Sequence, residues 1–460
     1  MPAGGERITN FGGNVSFAPA RFYAPRSEAE VVEILARHRG ERVRSIGSLH
    51  SWSRAAATRG VCLDLRHLDA VAITALGPDA RVHVGAGCTL GRLVAELRAA
   101  GLALPTLGAI LKQTIAGATS TGTHGSGSHS LSHFIEEVRV ATFEPATNLP
   151  KIISFRGDEL AAARCALGSL GVIVEVVMRA EPAFEVEERL ERATRLDEVL
   201  QDAADWPLQQ FVFLPWSWHF LVYRRRRGVH SGSRLHALLC RALCFFFNDV
   251  GLHLLLKFNL KVLSDAGIRA FYRKVLPWFP LTPSRTDEAA AVLTLRHDLF
   301  RHVEMELFVP ESKLPAALGT VRRLLELAAG ERAAVDAEVH AILGEEVNAL
   351  RGTWTHHYPL LCRRILADDS LVSMACAGAP AEAAWMSISF FTFLPFDERY
   401  ARFCKAVARC LERLYGARQH WGKYFPLPFA AAAAAYPRFR DYRELCLKYD
   451  PDGAFWNETF

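Results

Sequence analysis

One segment constrains the chain more than any other: Thr114-Ile115-Ala116-Gly117-Ala118-Thr119-Ser120-Thr121-Gly122-Thr123-His124-Gly125-Ser126-Gly127-Ser128. It is rich in glycine and hydroxyls and almost uncharged. An aliphatic stretch, Leu104 to Ile110, precedes it, and the strand-like Ile135 to Val140 follows. A flexible linker is not normally framed this way. Glycine lets backbone amides approach a ligand closely. Successive amides with Ser and Thr hydroxyls can cradle a pyrophosphate without a lysine. A second stretch, Arg44-Ser45-Ile46-Gly47-Ser48-Leu49-His50-Ser51-Trp52-Ser53, runs from a strand into a Gly-Ser turn and presents one histidine among small hydroxyls. Alone it reads as an ordinary turn, because short motifs match by chance.

Between these two landmarks the periodicity alternates between helix and strand. Ser27 with Glu30 forms a capping box ahead of a helix with Val31, Ile34 and Leu35 on its apolar face. Strands are expected at 42–46, 61–65 and 171–177. Arg81 to Gly87 running into Leu90 to Leu97 has the look of a dinucleotide fingerprint. Its spacing is GxGxxxG, however, and no acid follows at the required distance, so it reads as a structural turn. From about 181 charges alternate with apolar residues as in a half-solvated sheet. Glu304 to Pro310 and Trp385 to Phe393 are further strands, the latter with Ser387 and Ser389 on one face. Residues 235–263 are strongly apolar but interrupted by Arg241, Asn248, Asp249, His253 and Lys257. A buried or membrane-surface helix pair is expected there rather than a span. With Arg224-Arg225-Arg226-Arg227 nearby, 224–263 is the candidate for peripheral membrane contact.

The 460 residues allow two to three domains, and half of them are hydrophobic. The net charge of +5 is spread out, which makes nucleic acid a poor partner. Ten cysteines without a CxxC pair exclude a zinc ribbon or a disulfide scaffold, and no metal site is expected. Met1 to Asn10 has no apolar secretory core, so a reducing, cytoplasmic compartment is expected, with membrane association through 224–263.

Two C-terminal stretches complete a recognisable order: His420-Trp421-Gly422-Lys423 and Leu447 to Asn457, which contains Tyr449-Asp450-Pro451-Asp452-Gly453. Together with the two N-terminal loops they resemble the sugar-lactone branch of the vanillyl-alcohol-oxidase flavoproteins, which includes L-gulonolactone oxidase, D-arabinonolactone oxidase and the alditol oxidases. The likeness is densest at 20–180 and 415–457. It implies an α+β, two-domain, PCMH-type FAD-binding fold. Residues 1–180 and a return at 416–460 would bind FAD, and 181–415 would form a cap with an antiparallel sheet.

The resemblance also assigns residues. His50 would carry a covalent histidyl bond to FAD, within a loop of Ser45, Ile46, Gly47, Ser48, Leu49 and Ser51. Gly117, Ser120, Thr121, Thr123, His124 and Gly125 would line the pyrophosphate and flavin, and Gly171 and Ile173 would lie along the cofactor. His420, Arg363 and Lys423 are the expected catalytic residues. Lys423 would be the fixed cation near the flavin N1 and C2 carbonyl, where negative charge builds. Gly108 occupies a position that holds glycine in many oxidases, which favours O2 as acceptor and H2O2 as product.

Five positions depart from the pattern. Many relatives carry Glu-x-Arg ahead of an Asp-Asp pair. Here Asp368-Asp369 places Leu361 at the glutamate and Arg363 at the arginine. Ala109 replaces a serine of the alditol oxidases, and Ser387 and Ser389 stand where those enzymes have larger polar groups. Leu49 stands where many relatives have a second glycine. The expected substrate, contacted by Ala109, Ser387 and Ser389, is therefore an aldonolactone, a polyol or a more apolar alcohol. Two other readings stay open: a dehydrogenase passing electrons to a quinone or membrane acceptor, and a flavin-holding protein whose site Leu361 has blunted.

Overall fold

The strand-forming stretches sort into separate sheets by the pattern of their burial. In the computed structural model, which describes residues 5–228, 234–278, 281–295, 301–332, 334–377 and 382–456, the strand Val61–Asp64 is buried at every position. It is the centre of a three-stranded parallel sheet, flanked by Arg21–Tyr23 and Val43–Ile46. Burial on both faces is what a parallel sheet requires. The crossover helix Glu28–Arg37 begins as its sequence dictates: Ser27 Oγ accepts from the Glu30 amide at 3.2 Å. The Glu30 carboxylate in turn accepts from the Arg26 amide at 2.8 Å.

A second, antiparallel sheet has the order Pro150–Phe155, Ile135–Phe143, Val172–Arg179, Arg81–Gly85, Val71–Ala75. The Gly85-Ala86-Gly87 turn is structural. A Cβ on Gly85 or Gly87 would strike the backbone of Leu68 or Leu65.

The third sheet has eight antiparallel strands, ordered Arg285–Glu288, Glu185–Ala193, Phe220–Gly228, Gln210–Phe213, Leu360–Leu366, Ala384–Phe393, His302–Pro310, Arg418–Gln419. Alternation along His302–Pro310 separates two environments. Val303, Met305, Leu307 and Val309 pack against the helices Leu314–Ala328 and Glu398–Tyr415. Glu304 and Glu306 point the other way, into the cavity described below.

Two expectations change here. Arg224 to Arg227 do not form a free basic patch. They lie on Phe220–Gly228, directly beside the acidic strand Glu185–Ala193. Arg224 pairs with Glu191 at 3.1 Å, Arg225 with Glu188 at 2.6 Å, Arg226 with Glu187 at 2.8 Å and Arg227 with Glu181 at 2.6 Å. Opposite charges facing one another across strands stabilise the pairing and neutralise the cluster. Residues 235–262 are not a buried helix pair. They form one helical run, Leu235–Val262, long and apolar enough to cross a membrane, and only 12% of its most apolar window is buried. The side chains of Asn248 and Asp249, and residue Asn457 of the C-terminal stretch, lie outside what is described. All ten cysteines are unpaired.

Candidate active site

A cavity of about 1570 Å3 separates the two N-terminal sheets from the eight-stranded sheet. This exceeds the roughly 300–1,000 Å3 of an ordinary ligand pocket, leaving room for a dinucleotide and a second molecule. The structure brings most of the expected residues to it. Ser45 to Ser51, Gly108, Ala109, Gly117, Ser120, Thr121, Thr123, His124, Gly171 and Ile173 line one side, and Arg363, His420 and Lys423 line the other. Three are not brought to it. Gly125 packs behind the wall, where a Cβ would meet the Leu107 carbonyl at 2.6 Å. Ser387 and Ser389 are fully buried beneath the floor, beside Arg363 and Leu361 on the neighbouring strand.

The loop carrying His50 is shaped by three constraints. Gly47 has no room for a side chain, because its Cβ would overlap Thr114 Oγ1. Leu49 adopts a left-handed φ of 56°, a conformation that costs a non-glycine residue about 1–2 kcal/mol. Its side chain rests on a small core of Ile8, Val15, Phe17 and Ile46, which explains how leucine stands where relatives have glycine. The loop is also tied to the C-terminal turn. Both the Trp52 amide (2.9 Å) and Ser51 Oγ (3.1 Å) donate to the Gly422 carbonyl. His50 Nδ1 lies 3.0 Å from the Ser48 carbonyl, which can only accept, so Nδ1 carries the proton. Nε2 keeps its lone pair and is buried with no hydrogen-bond partner among the described residues. Burial lowers the pKa of the ring, so it stays neutral.

The floor holds what the sequence reading missed. Leu361 does leave the expected acid position apolar. Two strands across, in the same cross-strand row, Leu361 faces Ser389 and Ser389 faces Glu306. The carboxylate on this row is that of Glu306, two strands away from Leu361. Only the register could have revealed this; Glu304 and Glu306 read in sequence as the polar half of an alternating strand. Both are buried. Glu304 forms an ion pair with Lys423, whose ammonium also lies 4.7 Å from the Trp52 ring centroid. Burial pushes the Glu304 carboxyl up, but the Lys423 charge and His302 together outweigh it and bring the pKa down to about 2. Lys423 is therefore a neutralised cation.

Glu306 faces two imidazoles. His124 Nε2 is 3.2 Å from one of its oxygens and His420 Nε2 is 3.9 Å from the other. His124 is oriented by donation from Nδ1 to the Gly125 carbonyl at 2.9 Å. His420 Nδ1 instead accepts from the Gly422 amide at 3.0 Å, so its Nε2 carries the ring proton. Burial lowers the His420 pKa to about 3, which keeps the ring neutral. The ligand atoms of His124, Glu306 and His420 lie within 4.8 Å of one another. A metal-bound imidazole donates its other N–H, whereas His420 accepts there, so its Nε2 keeps a proton and has no lone pair for a metal. Arg363 completes the floor; its Nε donates to Gln210 Oε1 at 3.2 Å, and burial lowers its pKa.

Residues 19–144 match the FAD binding domain family, and residues 176–460 match the family described as D-arabinono-1,4-lactone oxidase. The chain belongs to the D-arabinono-1,4-lactone oxidase family. Its cofactor is FAD, and it is an FAD-linked oxidoreductase. Within this setting, a long-chain alcohol oxidase from an uncultured marine euryarchaeote is 40% identical over 99% of this chain and 96% of its own length. An L-gulono-1,4-lactone dehydrogenase from Mycobacterium tuberculosis is 27% identical over 98% of this chain and 97% of its own length. Among solved structures, a cholesterol oxidase from B. sterolicum superposes with a TM-score of 0.71 at 13% identity, covering 98% of this chain and 95% of that one. This last likeness concerns the fold. The residues fit FAD: the small-residue wall admits no bulk at Gly47, and no described residue claims the His50 Nε2 lone pair.

Proposed function

We propose that the chain is an oxidase of alcohols with a large apolar body, using FAD bound covalently through His50, with O2 as acceptor and H2O2 as product. The observation that carries this reading is the contrast within one cavity. Its floor is a small charged cluster of Glu304, Glu306, Arg363 and Lys423, while Val212, Leu214, Phe220, Leu221, Leu252 and Leu361 give the cap side a large apolar surface, and of the charged residues that also line it there, Glu188, Arg225, Arg241 and Arg285 are held in ion pairs. Such a site holds one polar group in place and surrounds the rest of the molecule with hydrocarbon. The relative at 40% identity carries a matching name. Residues 1–180 and 416–460 hold the cofactor in this reading, and 181–415 cover it.

Bound FAD supplies the hydride acceptor. The protein's share is to fix the hydroxyl and receive its proton. Glu306 Oε1 is a buried acceptor with no well-aligned donor among the described residues. A buried acceptor left so costs about 1–3 kcal/mol, and a substrate hydroxyl relieves this. The neighbouring imidazoles and Lys423 hold the Glu306 carboxyl well below the usual carboxylate range, so Glu306 stays ionised and His124 Nε2, 3.2 Å away, takes the proton. Arg363, held by Gln210, orients the alcohol oxygen, and the Lys423–Glu304 pair keeps the floor neutral overall. Gly108 supports O2 as acceptor. Its room is also set by packing, because a Cβ there would lie 2.8 Å from Thr123 Cγ2.

Purified protein should be yellow and keep its colour through acid precipitation. His50→Ala should release FAD on precipitation while the fold persists. Under air, 1-alkanols should bleach the flavin and yield H2O2 more efficiently than polyols or aldonolactones. Flavin that separates from wild-type protein on denaturation overturns the covalent bond, and a preference for polyols overturns the substrate reading. The exposed helix Leu235–Val262 favours a second reading for the acceptor, a membrane quinone. Very slow reoxidation of the reduced flavin by air, in stopped flow, would favour it over O2.

A further inference from the structure

The helix Leu235–Val262 presents its apolar side to solvent. Leu238, Phe246, Leu254, Phe258 and Val262, spaced by four or eight residues, are 62%, 64%, 59%, 61% and 61% exposed. Residues so spaced recur along one side of a helical run. Water-facing hydrocarbon on this scale marks a surface meant to be covered.

Two further observations say by what. First, the cavity opens through this surface. Leu238, Phe246 and Trp278 line the cavity and are also exposed, Trp278 by 81%. Inward of them Leu252, Leu276 and Leu361 continue an apolar wall to the floor. Second, residues 234–262 carry four basic residues, Arg234, Arg241, Lys257 and Lys261, against one acid, Asp249. Arg241 is held by Asp287, and Lys261 is exposed beside Val262. An exposed apolar stripe on a run that is net basic in sequence, with Lys261 exposed at its end, complements the interfacial layer of an anionic bilayer.

We propose that this helix lies in the surface of an anionic lipid bilayer and that the cavity is loaded directly from it. The substrate is then a long-chain aliphatic alcohol, a class that rests on the function proposed above. Its hydroxyl leads inward between Leu238, Phe246 and Trp278 to the Glu306 floor, and its chain passes from lipid to cavity without crossing water.

The test uses holoenzyme and vesicles of phosphatidylcholine, with and without phosphatidylglycerol. Wild-type protein should sediment with vesicles, more strongly with phosphatidylglycerol and less in high salt. Leu254 and Phe258 lie on the exposed stripe but outside the cavity lining. Leu254→Glu/Phe258→Glu should weaken vesicle binding at least tenfold. Its flavin absorbance and kcat/KM for a short, water-soluble 1-alkanol should stay at wild-type values. Its kcat/KM for a long-chain alcohol presented in vesicles should fall at least tenfold. The uncharged Leu254→Gln/Phe258→Gln variant should show the same pattern, separating lost apolar contact from charge repulsion.

Wild-type protein that ignores both kinds of vesicle overturns the proposal, as does a stable dimer in solution that buries this face. Equal loss of rate on short and long alcohols overturns delivery from the bilayer. If vesicle binding follows the pattern but neither alcohol is oxidised, the docking face stands and the substrate reading falls.

Discussion

Replacing Lys423 by methionine should reverse the pH dependence of stability. Lys423 and Glu304 are 15% and 6% exposed, so solvent screens their pairing little. In the folded protein the Glu304 carboxyl lies at about 2 rather than 4.5, a difference worth about 3 kcal/mol at roughly 1.4 kcal/mol per pH unit. A folded pKa below the unfolded one gives stability that is complete above pH 4.5 and lost as pH falls toward 2. In Lys423→Met, burial and the neighbouring Glu306 charge both raise the carboxyl, the Lys423 charge that most lowered it is gone, and only His302 still opposes the rise. Its pKa then exceeds the unfolded value, and stability is lost as pH rises through it. Breaking a buried pair from one side costs about 3–5 kcal/mol, which is the expected loss at pH 7. Urea unfolding followed by tryptophan fluorescence, for wild type, Lys423→Met, Glu304→Gln and the double variant at neutral and mildly acid pH, reads this directly. The double variant should recover at least about 2 kcal/mol relative to additivity. Additive single effects, or an unchanged acid limb in Lys423→Met, would refute the reasoning.

Three other outcomes follow from the same geometry. Because burial holds the His420 pKa at about 3, the unfolded chain takes up a proton below about 6.5 that the folded protein refuses, so stability is lost as pH falls. His420→Gln should flatten the stability profile between about pH 6.5 and 5, by about 2 kcal/mol, in the same urea titration. Gly108→Ala should lower the melting temperature through its 2.8 Å approach to Thr123 Cγ2, by about 1–3 kcal/mol of overpacking. Thr123→Ser should restore the stability of that variant without restoring air oxidation. Glu188 sits between Arg225 and Arg285 at 2.6 and 3.0 Å, all three buried. Glu188→Gln should therefore cost about 3–5 kcal/mol, whereas Arg226→Ala at the solvated end of the same ladder should cost less than about 1 kcal/mol.

What could be read in the sequence was whatever is encoded locally. The Thr114–Ser128 loop, the His50 turn and the His420–Lys423 turn carry their glycine and hydroxyl requirements within a few residues, and all three arrive at one cavity. What could not be read depends on which strands pair. Glu306 shares a cross-strand row with Leu361 only because Ala384–Phe393 lies between their strands in that register. The arginines at 224–227 lose their apparent availability because Glu185–Ala193 is their neighbour. Apolarity at 235–262 was legible, but not its direction, since a helix facing lipid and one facing a core share a composition.

The bonds joining the histidine loop to the C-terminal turn also set a timetable for synthesis. Ser51 and Gly422 are separated by 371 residues, or about 20–75 s of translation at roughly 5–20 residues per second. Arg44, at the base of the same loop, donates to the Phe455 carbonyl at 2.7 Å, later still. The glycine-rich wall can fold early on the ribosome, but the clasp that fixes His50 closes only when Gly422 and Phe455 have emerged. If the flavin is bound through His50 as proposed, its attachment follows the emergence of that turn: a chain stalled before residue 420 holds no properly set histidine and stays colourless.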